Sequence, residues 1–257
     1  MHGAPGAQKP LDAFTGQYAE EAGFYSTYNY DRAYQFLTWI TQQIHSNTDF
    51  RTVGMIEVAN EPIPAQPTLA SLYYPGAYAA IRAAEVAAGV TAGTGGLHIQ
   101  FMDTSWGAGN PISSLTSTAG VSFDNHRYLK YDSSVETTQA GYLGTSCNDD
   151  LGATGNTPLI VGEWSISPSS TVEDTENFII TGGANADFYK KWWAAQVVAY
   201  EKNAAGWVFW AWKSELMVFD EAKNEWLPDW RWSYSEAVKA GIFPTDPGQA
   251  YNVAACS

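Results

Sequence analysis

Gly54-Met-Ile-Glu-Val-Ala-Asn-Glu-Pro62 and Leu159-Ile-Val-Gly-Glu-Trp164 are short apolar runs, and each carries a glutamate at its end, Glu61 and Glu163. Runs of this length, rich in Val and Ile and closed by turn-forming residues, read as strands buried on both faces, as in parallel sheets. A carboxylate at the carboxyl end of such a strand stands where barrel enzymes present their catalytic groups. Pro62 ends the first run, because a residue without an N–H cannot continue a ladder.

Working outward, residues 97–103, 120–125 and 206–212 read the same way and join 53–60 and 158–163 as five expected strands. Between them Tyr30, Ala33, Tyr34, Leu37, Ile40 and Ile44 fall on one helical stripe. Leu69, Leu72, Ala80, Ile81 and Ala84 form a less regular stripe broken by Pro75 and Gly76, and Phe188, Trp192, Ala195 and Ala199 mark a helix over 187–203. A last helix starts at Ser233, whose hydroxyl is expected to accept from the backbone of Glu236 while Glu236 reaches back, with Gly241 and Pro244 ending it. Strands alternating with helices imply right-handed βαβ units on a parallel sheet. A closed barrel is the better reading. An open dinucleotide-binding sheet needs a Gly-rich turn after a strand, and Gly93-Thr-Gly-Gly96 precedes its strand instead.

The 257 residues, 45% of them apolar, suffice for one large core, so residues 1–257 are expected to form a single domain. With 13 basic and 27 acidic residues the formal charge is -14, which repels phosphate backbones and anionic membranes. Neither nucleic acid nor a membrane is an expected partner, no apolar stretch is long enough to span a bilayer, and a monomer is expected. Met1 is followed at once by His-Gly-Ala-Pro-Gly, which looks like a loop leaving a strand and carries no signal peptide; the expectation is that a natural amino-terminal part is missing. Cys147 and Cys256 are the two cysteines, in no metal-binding spacing, leaving two thiols or one bridge.

Two carboxyl groups suit hydrolysis of a glycosidic bond, one protonating the departing oxygen and the other attacking the anomeric carbon, with a separation of roughly 5 Å giving retention. Glu61 and Glu163 fit those roles, and the Asn60 amide can bond a sugar hydroxyl beside the reacting carbon. In Phe123-Asp-Asn-His-Arg-Tyr128 the imidazole of His126 and the phenol of Tyr128 are two residues apart, on one side of an extended segment. A phenol donating to a carboxylate keeps it ionised, as a nucleophile requires. Trp210, near the end of Gly206-Trp-Val-Phe-Trp-Ala-Trp-Lys213, offers a stacking face for a sugar. Asp103 and Trp106 are weighed equally as cleft lining and as structure. Glu57, His45 and His98 read as structural, and Trp212 and Trp230 as packing residues. No Gly-x-Ser-x-Gly elbow occurs, so serine hydrolysis lacks its motif.

Taken together, His-Gly-Ala-Pro-Gly at 2–6, Asn-Glu-Pro at 60–62, His-x-Tyr at 126–128, Gly-Glu-Trp-Ser at 162–165 and Phe-Trp-Ala-Trp-Lys at 209–213 resemble glycoside hydrolase family 5, in the fungal branch of exo-β-1,3-glucanases and endo-β-1,6-glucanases. The resemblance implies an α/β fold, a (β/α)8 TIM barrel truncated at its amino terminus, with roughly the first two to three strands missing. It implies Glu61 as acid/base on the fourth strand, His126 and Tyr128 beside the sixth, Glu163 as nucleophile on the seventh, Trp210 closing the sugar site from the eighth, and His2 touching the sugar after the third. It also implies a Cys147–Cys256 bridge. The activity implied is a retaining hydrolase of β-glucan, endo-β-1,6-glucanase on the look of Asp12-Ala-Phe-Thr-Gly16 and Trp106-Gly-Ala-Gly-Asn-Pro111, with exo-β-1,3-glucanase or diglycosidase as alternatives. No metal or organic cofactor is called for, and a secreted or cell-wall location is implied. The rival from another class is an inactive carbohydrate-binding remnant.

Overall fold

A computed structural model describes residues 1–90, 95–151 and 156–256, so Gly93 and Thr94 of the glycine-rich stretch lie outside the described residues. The chain divides into two compact units, residues 1–125 with 154–159 and residues 126–153 with 160–257.

The first unit is built on parallel strands. β1 (Met55–Glu57) pairs with β2 (His98–Met102) in the register Ile56 to Ile99, and β2 pairs with β3 (Val121–His126) in the register Phe101 to Phe123. The Pro158 carbonyl accepts from Phe123 N–H at 2.8 Å, so the chain entering β4 (Leu159–Glu163) lies beside β3. The first run ladders over fewer residues than expected, although Val58 N–H still donates to the Gln100 carbonyl at 3.2 Å.

Helix α1 (Thr27–Ser46) begins at Ser26, whose hydroxyl accepts from Asn29 N–H, and buries Tyr30, Ala33, Leu37, Thr41 and Ile44. Tyr34 and Ile40 of the expected stripe are only half-buried. A five-residue π-helical segment, Leu69–Tyr73, runs directly into α2 (Tyr74–Ala87). Pro75 therefore does not break the stretch: it lies in the first turn of α2, directly after the π-helical turn, and the helix continues through it to Ala87. Leu72 was expected inside and is 48% exposed, because the wider π-turn rotates it off the buried stripe. Phe24, Tyr73, Tyr74 and Phe101 are fully buried, each such ring stabilising the fold by about 1.5–3 kcal/mol. Their contacts are edge-on or tilted, with Phe24 to Tyr73 at 4.8 Å and Tyr74 to Phe101 at 4.8 Å.

The second unit carries most of β4, then α3 (Gln139–Cys147), α4 (Ala186–Asn203), a hairpin of β5 (Met217–Asp220) and β6 (Glu225–Pro228), and α5 (Tyr234–Lys239). The helix predicted over 187–203 is α4, and it buries Phe188, Trp192, Ala195 and Ala199. Residues 206–212, expected as a strand, make only an isolated parallel bridge, Val161 to Trp207. The reason is a register slip. Val208 N–H donates to the Val161 carbonyl, but Trp210 N–H donates to that of Trp164, so three steps on β4 face two on its neighbour, as in a bulge.

Ser233 is the N-cap of α5, yet its hydroxyl does not accept from the helix; Glu236 is held instead by Lys239 at 2.6 Å, which replaces the expected capping box. Neither α3 nor the hairpin is foreseen by the apolar periodicity, since α3 is a short, Gly-containing helix and the hairpin leaves Met217, Phe219 and Trp226 exposed. Cys147, at the end of α3, is joined to Cys256 in a disulfide with a Cα–Cα distance of 5.6 Å. Among the described residues no helix is long and apolar enough to cross a membrane.

Candidate active site

In the first unit the end of β1 is fixed through backbone bonds. Asn60 N–H donates to the Met1 carbonyl at 3.0 Å, and the Asn60 carbonyl accepts from Gln8 Nε2 at 3.1 Å. Gln8 is fully buried, and its Oε1 accepts from Ala4 N–H at 3.0 Å, so one amide ties the opening loop to the strand end. Tyr25 donates to the Gln8 carbonyl at 2.6 Å and accepts from Ile63 N–H at 2.5 Å, gripping the loop after Glu61. Burial pushes the Tyr25 phenol up, keeping it a donor.

Glu61 has φ 42°, a left-handed conformation costly for a residue with a Cβ and one that collects at functional sites. Its side chain is 18% exposed, and its Oε2 lies 3.5 Å from Lys9 Nζ, which also pairs with Asp12 at 2.9 Å. Burial alone would lower the Lys9 ammonium, but the hydrogen bond to Asp12 and the Glu61 charge outweigh it and hold it above its ordinary value. Lys9 also lies 5.9 Å from the centre of the Trp106 ring, whose Nε1 donates to the Pro62 carbonyl at 2.8 Å. Asp103 is buried and accepts from Ser105, Trp106 N–H and Asn125 Nδ2, so it orders the loop that presents Trp106. Asn60 is buried and His2, next to the Met1 that pairs with Asn60, is exposed.

In the second unit the Tyr128 hydroxyl donates to Glu163 Oε2 at 2.7 Å, and His126 Nδ1 lies 3.5 Å from the same oxygen. Alternation along an extended segment puts both side chains on one side, as the spacing predicts. Arg127 N–H donates to the Glu163 carbonyl at 2.8 Å, which locks the two backbones side by side. A phenol donating to this oxygen favours the ionised carboxylate. Trp210 meets Trp232 edge-on with ring centres 5.6 Å apart, and Trp232 lies 5.7 Å from Tyr128. The second unit thus gathers His126, Tyr128, Glu163 and Trp210, with Trp232 joining the last two rings.

Sequence reasoning missed Lys9 and Trp232. Neither belongs to a motif, and Lys9 is 52 positions from Glu61, so no local signal marks it. Trp230 is buried against Tyr189 at 4.9 Å, as expected of a packing residue. Trp212 is not: it stacks on Tyr234 but remains 70% exposed. The bulge in the adjoining backbone turns its segment out of a regular ladder. His45 lies 3.6 Å from the buried Glu85, consistent with a structural part.

The sequence model of the cellulase family, glycosyl hydrolase family 5, matches residues 17–216. The chain belongs to glycosyl hydrolase family 5. Within family 5 it is similar to glucan endo-1,6-beta-glucosidase B of Emericella nidulans, 47% identical over 259 residues that take in 100% of this chain and 59% of that protein. It is similar to the probable glucan endo-1,6-beta-glucosidase B of Aspergillus terreus, 47% identical over 260 residues, 100% of this chain and 60% of that protein. The chain therefore spans about three fifths of the length of these curated relatives. Two solved structures share its fold. AoRut has a TM-score of 0.61 at 16% identity, covering 95% of this chain and 64% of its own. Rutinosidase from Aspergillus niger has a TM-score of 0.58 at 16% identity, covering 94% and 65%. The fold of this family 5 chain is of the (β/α)8 class, and because the described residues supply four parallel strands and one isolated bridge, it is a partial barrel.

Proposed function

We propose that this chain belongs to the catalytic machinery of a retaining β-glucan hydrolase, with Glu163 as nucleophile and Glu61 as acid/base, acting by preference on β-1,6 linkages. The observation that carries the reading is the Tyr128 hydrogen bond to Glu163, which favours the ionised, attacking form of that carboxylate. The linkage preference rests on the names of the similar proteins from Emericella nidulans and Aspergillus terreus.

In the first step a Glu163 oxygen bonds to the anomeric carbon as the glycosidic C–O bond breaks, and the departing oxygen takes the Glu61 proton. In the second a water oxygen bonds to that carbon, its proton passes to Glu61, and the ester to Glu163 breaks. Inversion twice gives net retention. Asn60 and His2 contact sugar hydroxyls, His126 assists at Glu163, and Trp210 stacks on the ring. Proton transfer and carboxylate attack require no metal or organic cofactor. The disulfide between Cys147 and Cys256 supports a secreted or cell-wall setting, since such bonds persist in oxidising compartments, and the sources of the similar proteins, Emericella nidulans and Aspergillus terreus, support a fungal one. The net charge of -14 supports a neutral polysaccharide as partner over nucleic acid, and we propose a monomer.

The test is reducing-end release from pustulan and laminarin by the chain and by Glu163→Gln and Glu61→Gln, with the anomeric form of the first product followed by NMR. Release from pustulan above laminarin, with retention and with a loss of about a thousandfold or more in Glu163→Gln, is the expected result. Preference for laminarin would favour the exo-β-1,3 alternative, and binding without release by all three proteins would favour the carbohydrate-binding remnant, in which the tryptophans still stack on sugars.

A further inference from the structure

Arg127 lies between His126 and Tyr128, the residues whose side chains reach Glu163, and its own side chain leaves the segment on the opposite side. The guanidinium is gripped twice. Its Nε and Nη2 bond Asp149 Oδ2 and Oδ1 at 2.8 and 3.1 Å, and its Nη1 bonds Asp132 Oδ2 at 2.7 Å. Its backbone N–H meanwhile donates to the Glu163 carbonyl at 2.8 Å.

Asp149 is a fixed anchor. Its carbonyl accepts from Asn203 Nδ2 at 2.8 Å at the end of α4, and it follows by two residues the Cys147 that is bridged to Cys256. Bidentate pairing of a planar guanidinium with a carboxylate fixes orientation as well as distance, so a grip on Asp149 fixes the rotation of the whole Arg127 residue. In an extended segment that rotation also sets where the two flanking side chains point.

We propose that Arg127 is a positioning residue: held by Asp132 and Asp149, it aims His126 and Tyr128 at the Glu163 carboxylate. The alternative, an ion pair that merely staples a surface loop, requires nothing of the Tyr128 bond. The proposal rests on Glu163 being the nucleophile only for its catalytic consequence; the aiming itself is independent of that role.

The experiment is a double-mutant cycle of Arg127→Met and Tyr128→Phe on pustulan, with kcat and KM measured separately and a crystal structure of Arg127→Met. Arg127→Met is expected to lower kcat about tenfold or more with KM changed less than about twofold, because a small misplacement of a reacting group is costly. In the Tyr128→Phe background the same change is expected to cost less than about threefold, since the bond it aims is already gone. Asp132→Asn, which loosens one side of the grip and spares Asp149, gives the same pattern on a smaller scale should Arg127→Met fail to fold. Equal cost in both backgrounds, or a Tyr128 hydroxyl still bonded to Glu163 in the Arg127→Met crystal, would overturn the proposal. Undiminished activity of Glu163→Gln would instead remove the nucleophile reading, while the crystal comparison would still decide the role of Arg127.

Discussion

The Tyr128 hydroxyl donates to Glu163 Oε2 at 2.7 Å, a phenol and a carboxylate 35 positions apart brought together by the neighbouring ends of β3 and β4. A hydrogen bond to a charged acceptor contributes about 1.5–3 kcal/mol, roughly ten- to a hundredfold in rate if it is made in the transition state. Tyr128→Phe is therefore expected to lower kcat by about that factor. It should also move the acidic limb of the pH–rate profile upward, because the ionised form of Glu163 loses a donor. A limb that stays in place while kcat falls would mean that the phenol does not act through this carboxylate.

Neighbouring tryptophans should respond differently. Trp164 is fully buried, with Tyr200, Trp207 and Phe209 edge-on at 5.2, 5.4 and 5.0 Å, so Trp164→Ala should cost about 3–5 kcal/mol of stability in urea unfolding. Trp210 is only half-buried, and Trp210→Ala should instead raise KM about tenfold, equivalent to about 1.4 kcal/mol, with a smaller loss of stability. Reversed phenotypes would count against Trp210 as the stacking platform.

The bridge between Cys147 and Cys256 closes a loop of 109 residues and ties the chain end to α3. Replacing both cysteines by serine should lower stability by about 2–4 kcal/mol, chiefly by freeing the unfolded chain. Equilibrium denaturation without reductant measures it. An unchanged midpoint would show that the unfolded chain is not constrained by this loop.

Asp132 gives a dependence on pH. Burial opposes its ionisation, but the Ser134 hydroxyl and the Arg127 guanidinium outweigh burial and hold the carboxyl down to about 2, from an ordinary 3.8. A folded value below the unfolded one stabilises the protein above about pH 4, and the contribution is lost as the pH falls through about 2. The melting-temperature difference between the protein and Asp132→Asn should be present near about pH 6 and close toward about pH 2. A gap that widens with acid would reverse the sign and contradict the pairing.

What the sequence by itself determined is what local signals carry. Short Val- and Ile-rich runs locate β1 to β4, a 3.6-residue stripe finds α1 and α4, and a two-residue spacing puts His126 and Tyr128 on one side of their segment. The same runs single out Glu61 and Glu163, because a carboxylate at a strand end is visible without knowing its neighbours. Tertiary structure alone decided the rest. Lys9 against Glu61, Trp232 beside Trp210, the two-sided grip on Arg127 and the register slip near Glu163 all depend on backbone paths joining distant residues. Periodicity reports which face of an element is apolar, not which element will face it, so a lysine in an irregular loop or a bulge between two strands leaves no trace in the order of residues.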